Sequence, residues 1–451
     1  MRQFTSLQVA ILALGSLCFS TAYADSTLVP MSDAELSATR GQALMSMSYI
    51  APTDAATRGQ ALMSMSYIAP TDAASNSSTN GNMGFYRLAL DAQLELNANI
   101  KKLQLGCGGV NGAGACDIDI DYLSLSGGTV DSTSAERAAS SAVITNPFLE
   151  FAVKNPNSAS TREIQGFRLS AKSLSGLLTF GLENGDASSG INSLSGYMVT
   201  KPTGGTVTTN PYYGITQDET NTAITGRATV LGNLYTVPFT STGYNLNLGA
   251  GSGTLSMGQQ VITGKRINTA NLNATARVGG LAITGTLDAT ASVLGLPIPI
   301  SGNVTGTVNN LDVNVAIKQS LGYFHAAQLN GSAGYLSVQG VNILWPEAAS
   351  TAQTGWWLEL TNPIDIGQIT PAGSVDIALS TIVDALGQVS AYLDKNPVDC
   401  GLLASSCLIA GNLPVGTVDL TGKTPASMSL TNVVLQKQSF SSNCYGSLKF
   451  C

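Results

Sequence analysis

The sequence predicts a mainly β protein: an elongated antiparallel sheet or sandwich of long amphipathic strands, with a small C-terminal module containing one helix. Three observations predict it. From Tyr86 to Ile100 every second residue is apolar (Tyr86, Leu88, Leu90, Ala92, Leu94, Leu96, Ala98, Ile100), with mostly polar residues between them. Period-two alternation marks a strand with one buried and one wet face. A similar alternation returns from Leu272 to Ile317. The composition agrees: only 11% of residues are charged and 48 are Gly, but 44% are hydrophobic, too many for a disordered chain.

Residues 1–24 have the layout of a secretory signal peptide. Arg2 supplies the charge, Val9 to Phe19 the apolar run and Ala22-Tyr23-Ala24 the cleavage site. Leu17 before Cys18 is too large for a lipidation site. No other window is long and apolar enough for a membrane-spanning helix. The chain is therefore expected to be exported, to the outer-membrane surface, the extracellular space or the periplasm. With 28 acidic against 21 basic residues it is a poor match for nucleic acid, whose phosphates need clustered Lys and Arg.

Residues 25–82 read as a duplicated leader and linker. TRGQALMSMSYIAPTDAA runs from Thr39 to Ala56 and repeats letter for letter from Thr57 to Ala74. Within the copies, Met45, Met47 and Tyr49, then Met63, Met65 and Tyr67, alternate with serines. That is an uncharged edge-strand pattern suited to assembly by pairing with another sheet. A replication slip in a tolerant leader is the alternative. Ser32 and Glu35 have capping-box spacing, and Ser75 to Asn82 has linker composition.

A main β domain is expected over residues 83–345. The long strand, about 50 Å at ~3.4 Å per residue, should turn back at the Gly-rich loop between Cys107 and Cys116 and continue through Ile118, Ile120 and Tyr122. Asp117, Asp119 and Asp121 share the other phase. They are a calcium candidate because hard cations take carboxylate oxygens, with a solvated acidic face near Lys101 and Lys102 as the alternative. Residues 132–145 suit a short helix or a loop. Leu149, Phe151 and Val153, then Phe167, Leu169 and Ala171, read as further strands, and from Leu272 short turns predict a meander whose wet face carries Thr284, Thr286, Thr290 and Ser292. Pro297 and Pro299 mark a sheet edge.

Residues 346–451 read as a separate C-terminal disulfide-containing module. Its helix runs from Asp376 to Lys395, with Leu379, Ile382, Leu386, Val389 and Leu393 on one face and Pro397 beyond the end. The cysteines after the signal fall into close pairs: Cys107 with Cys116, Cys400 with Cys407, and Cys444 with Cys451. An oxidising compartment makes disulfides the natural reading, each worth about 2–3 kcal/mol.

Nothing here announces catalysis. His325 is the single histidine, no G-x-S-x-G elbow or nucleotide fingerprint occurs, and no cofactor is expected. Trp356-Trp357 suits either a sugar platform or one ring in the core and one at an interface.

Two non-enzymatic classes remain. One is a structural or adhesive cell-surface protein of the envelope, pilus or fibre associated, whose partners are other envelope or pilus proteins and further copies of itself. The other is a periplasmic or outer-membrane binder of lipid or another hydrophobic ligand. Met31 to Ser37 (MSDAELS), followed by Gly41-Gln42-Ala43, resembles the leader motif of a group of secreted envelope proteins of gamma-proteobacteria, some linked to Fil-type pilus clusters in Acinetobacter. Asn146 to Ala152 with Gly166 to Leu169 is similar to that group as well. The resemblance covers short stretches, carries no catalytic residues and departs by duplicating the leader. It implies the surface-structure class.

Overall fold

The alternating stretches become strands, and the turns between them decide which sheet each strand joins. The computed structural model describes residues 43–50, 63–70, 80–108, 111–112, 114–181, 189–230, 234–293, 295–371, 373–400, 411–422, 425–431 and 433. Met1–Gly41 and Gln42–Cys451 are separate units, and every described residue lies in the second. The signal peptide, Ser32, Glu35, the leader motif, Cys407, Cys444 and Cys451 fall outside the described residues.

The described chain is mainly β. A 13-stranded sheet carries the N-terminal part: β1 (Ala43–Ile50), β2 (Met63–Ile68), β3 (Met83–Leu90), β4 (Gln93–Leu105), β5 (Ile118–Ser126), β6 (Ala142–Lys154), β7 (Glu163–Thr179) and β8 (Ile191–Val199), with five later strands. The hairpin expected at the cysteine loop is β4–β5, closed by the Cys107–Cys116 disulfide. The single long strand is instead interrupted: β3 ends at Leu90, Asp91 is exposed, and Asn146, with φ +48°, donates its N–H to Ala92 O. Both segments still pair with β6, in the order Ala89↔Phe148 then Gln93↔Thr145. Between β5 and β6, helix α1 (Ser134–Ala138) starts with a Thr133/Glu136 capping box. It anchors through Arg137, fully buried, whose guanidinium donates to Ser124, Ser126 and Thr179 hydroxyls.

Two further sheets, of 7 and 5 strands, hold the regular region. The expected meander is corrected here. Strand Thr269–Gly279 belongs to the five-stranded sheet, whereas Leu281–Val293 belongs to the seven-stranded one. Likewise Leu296–Asn309 and Leu311–Ser320 lie in different sheets. The turns at Gly279-Gly280 and Asn309-Asn310 therefore hand the chain across the sandwich instead of forming hairpins. Gly280 and Asn310 supply the left-handed conformations these corners need, with φ of +71° and +58°. The corners are tied together by Gly280 N–H donating to Asn309 Oδ1 at 2.7 Å. One apolar cluster joins both sheets, including Leu272, Val278, Leu281, Ile283, Val304, Val313 and Ile317. Thr284, Thr286, Thr290 and Ser292 are exposed as expected. Pro297 and Pro299 sit in the half of their strand that pairs on one side only.

The separate C-terminal module is also corrected, because residues beyond 346 complete all three sheets. Gly355–Leu360 joins the first, Gly411–Asp419 runs parallel to Leu296–Asn309 in the second, and Ala426–Thr431 runs parallel to Leu311–Ser320 in the third. Parallel pairing requires a long crossover, which the intervening helix-containing stretch supplies. After the short helix α2 (Gln217–Thr220), helix α3 (Leu379–Lys395) begins three residues later than predicted and has no side-chain cap. Ile382, Leu386, Val389 and Leu393 enter the shared core, while Leu379 is half-buried.

Asp419 fastens this closure at the Asn310 corner. It accepts hydrogen bonds from Thr421 Oγ1 (2.6 Å), Asn310 Nδ2 (3.0 Å) and Thr421 N–H (2.9 Å), which push its carboxyl down to about 2. Because the folded value lies below the ordinary ~3.9, the stabilisation is present above that value and is lost as pH falls through about 2. A carboxyl-carbon NMR titration should find Asp419 titrating near 2. Thr421→Val, which removes the largest of these bonds and leaves the other two, should raise it part of the way toward ~3.9.

Candidate assembly surface

The strands β3, β6 and β7 present two chemically different faces. In register, Arg87 opposes Glu150, which opposes Arg168. Glu150 is fully buried, accepting from Arg87 Nε at 2.9 Å on one oxygen and from Arg168 on the other. Arg168 also donates to Pro346 O and lies over the rings of Phe148, Tyr335 and Trp345 at 5.1–5.3 Å. Burial pulls its guanidinium below the usual range, a shift that Glu150 opposes. Next to it, burial and then the Glu359 carboxylate push the Tyr335 hydroxyl well above its ordinary value.

Residues 341–354 cover this face. Asn80 clamps Leu344 through both its backbone N–H and its carbonyl at 2.8 Å, and Glu359 accepts the N–H groups of Ala349 and Ser350. Asn80, near the end of the expected linker, is thus a buried anchor, while Gly81 and Asn82 after it are exposed. With both oxygens bound by guanidinium groups and no solvent access, Glu150 ties β3, β6 and β7 together.

On the opposite face, cross-strand neighbours form two apolar rows. One runs Tyr67–Tyr86–Phe151–Phe167–Val338–Trp356, the other Met65–Leu88–Leu149–Leu169–Leu336–Leu358. Leu336, Trp356 and Leu358 pack against the main core. Toward β2 the rows emerge into solvent: Leu169 is 42% exposed, Tyr67 40% and Met65 84%, with Ile164 alongside at 64%. Tyr67 stacks on Tyr86 at 4.6 Å, and Phe151 on Phe167 at 5.5 Å. Gly84 makes room for the Tyr67 ring, which a Cβ would approach to 2.9 Å.

The two leader copies form the edge of this surface. Met45, Met47 and Tyr49 of β1 oppose Ala98, Leu96 and Leu94 of β4. Met63, Met65 and Tyr67 of β2 oppose Leu90, Leu88 and Tyr86 of β3. Both copies are therefore strands at the margin of their own chain's sheet.

No protein-family model, curated protein or solved structure matches this chain. Its chemistry is read from its own side chains.

The three aspartates do not converge. Asp117 is buried and accepts from Trp356 N–H and Asn111 Nδ2, tying the disulfide loop to the strand Gly355–Leu360. Asp119 and Asp121 share the Lys102 ammonium at 2.6 and 2.9 Å. Burial alone would raise Asp119, but hydrogen bonds from Lys102, Gln104 and Asn192 outweigh it and hold the carboxyl below its usual range. Among the described residues no cluster of three His, Cys, Asp or Glu has metal-binding geometry. Asp119 and Asp121 are thus paired with Lys102, whereas Asp117 is buried at the disulfide loop instead of lying on a solvated face.

His325 is buried, with Nδ1 2.7 Å from Phe180 O and its own carbonyl accepting Phe180 N–H. Trp357 is in the core and Trp356 half-buried at the junction of the apolar rows. Cys400 is disulfide-bonded. An apolar cavity under α3 has about 30 Å³ and another beside β5, β6 and β7 about 90 Å³, room for one to a few waters and not for an acyl chain. No described helix is long and apolar enough to cross a membrane.

Sequence reasoning missed the charge network and inverted the faces of β3. The large buried side chains there are Met83 and Phe85, in phase with Arg87; Gly84 is buried in the other phase, where Tyr86 and Leu88 are half-exposed. Glu150 between Phe148 and Ala152, on the face those residues share, was the available signal.

Proposed function

We propose that this chain is a non-enzymatic, exported structural or adhesive component of a bacterial cell surface, pilus or fibre associated, that acts by assembling with other envelope proteins and with copies of itself. The observation that carries the reading is the solvent-facing end of the two apolar rows, bounded by the leader strands. Contiguous exposed apolar surface is what folded chains reserve for partners. The Thr- and Ser-lined outer face of Leu281–Val293 suits a neutral surface body.

The test substitutes Ile164→Lys with Leu169→Lys, both side chains being exposed enough for the fold to tolerate the change. Fractionation and surface proteolysis of cells should find the parent chain at the surface in assembled form. The variant should be exported and folded but released as unassembled protein, with association weakened by about tenfold or more. A parent chain confined to the periplasm, or co-purifying with stoichiometric lipid in native mass spectrometry, would overturn the proposal.

A further inference from the structure

Two identical strands occupy two equivalent places on one edge. β3 and β4 follow one another along the same side of β6, so β1 and β2 lie end to end against them, both antiparallel to the ribbon they line. Corresponding residues meet corresponding chemistry. The first methionine of the motif opposes Ala98 or Leu90, the second opposes Leu96 or Leu88, and the tyrosine opposes Leu94 or Tyr86. Backbone pairing carries the recognition, and the positions opposite the motif are small or apolar in either place.

The connection between the copies is longer than its task. Ile50 opposes Gln93 and Met63 opposes Leu90, a separation of about 10 Å along the ribbon at ~3.4 Å per residue. The chain from Ile50 to Met63 can span roughly 45 Å. β2 is also lightly held. Ser64, Met65, Ser66 and Tyr67 are all exposed; beside the backbone ladder, the ring of Tyr67 lies over Gly84 and Tyr86 and Ile68 packs at the margin of the Phe85–Trp345 cluster. A short strand with little buried apolar area is among the first elements of a fold to open.

We infer that the duplication makes the leader a strand donor to a second copy of this chain. One repeat copy stays on its own sheet and the other pairs with the equivalent place on a neighbour, whose own leader is passed on in turn. A contact of this kind joins unlike surfaces and propagates from molecule to molecule, giving open assemblies instead of closed dimers. This deepens the assembly reading proposed above and rests on it for its biological role, but its physical content is a property of the purified chain alone.

The experiment compares the full chain with a variant lacking residues 57–74, in which one place is vacant whichever the remaining copy takes. The probe is a fluorescent peptide of sequence TRGQALMSMSYIAPTDAA, with a control peptide in which both methionines of the MSMSY core and its tyrosine are serine. The full chain should gain mass with concentration in light scattering while the deletion variant stays at the mass of one chain. The repeat peptide should bind the deletion variant at least about tenfold more tightly than the control does. It should also shrink assemblies of the full chain. If the deletion variant fails to fold, Tyr49→Ser with Tyr67→Ser keeps the chain length and should lower association in the same direction. A full chain that stays at single-chain mass overturns the inference. So does a deletion variant that associates as strongly as the parent, or a repeat peptide that neither binds nor competes. Surface placement without strand exchange would remove this inference and leave the functional proposal. Exchange in a chain that never reaches the surface would do the reverse.

Discussion

Glu150→Gln should destabilise the fold by about 3–5 kcal/mol, because it leaves the Arg168 guanidinium buried without its counter-charge. Arg168 is 2% exposed, and its remaining partners are one carbonyl and the faces of three aromatic rings. Those contacts do not replace a carboxylate. Urea unfolding followed by tryptophan fluorescence would measure the loss as a lower midpoint with an unchanged slope. The double variant Glu150→Leu/Arg168→Met should recover much of the lost stability, since an apolar pair of similar volume often equals a buried ion pair. If the double variant is as unstable as Glu150→Gln, the network contributes geometry that apolar packing cannot supply.

Trp345→Ala should cost a further 3–5 kcal/mol or so by opening a cavity under residues 341–354. Trp345 is fully buried, 5.6 Å from Phe85 by ring centroids, with an edge close enough to Gly166 that a Cβ there would meet it at 3.1 Å. Trp345→Phe should cost much less, about 1–2 kcal/mol, because the indole N–H has no acceptor among the described residues, so its removal forfeits no hydrogen bond to them. Thermal unfolding of the two variants would separate packing from polarity at this position.

How legible the chain was depended on the distance over which each decision is made. The hairpin at Cys107 and Cys116, the exposed threonines of Leu281–Val293 and the inward face of α3 follow from alternation and helical spacing, which neighbouring residues set. The assignment of strands to sheets did not. Gly279-Gly280 and Asn309-Asn310 have the composition of hairpin turns, and only the docking of two sheets turns them into corners. The faces of β3 were misread for a related reason. A strand is expected to bury its apolar phase, but Arg87 meets Glu150 across the ladder, and a neutralised charge can be buried. The candidate surface was half legible: the leader alternation pointed to β1 and β2, whereas the rows through Phe151, Phe167 and Leu169 exist only once β3, β6 and β7 are aligned.

The parallel strands at the far end of the chain also set a timetable. Leu296–Asn309 and Leu311–Ser320 stand in the middle of the molecule's sequence, yet their flanks are covered by Gly411–Asp419 and Ala426–Thr431. Until those residues arrive, two inner strands are exposed edges, and edges of this kind recruit other chains. Closure through contacts so distant in sequence is also slow to form. Refolding should therefore show a late step that coincides with the ordering of residues 411–431. A chain halted before that point would be caught in its most adhesive state, with the sandwich built and its seams still open.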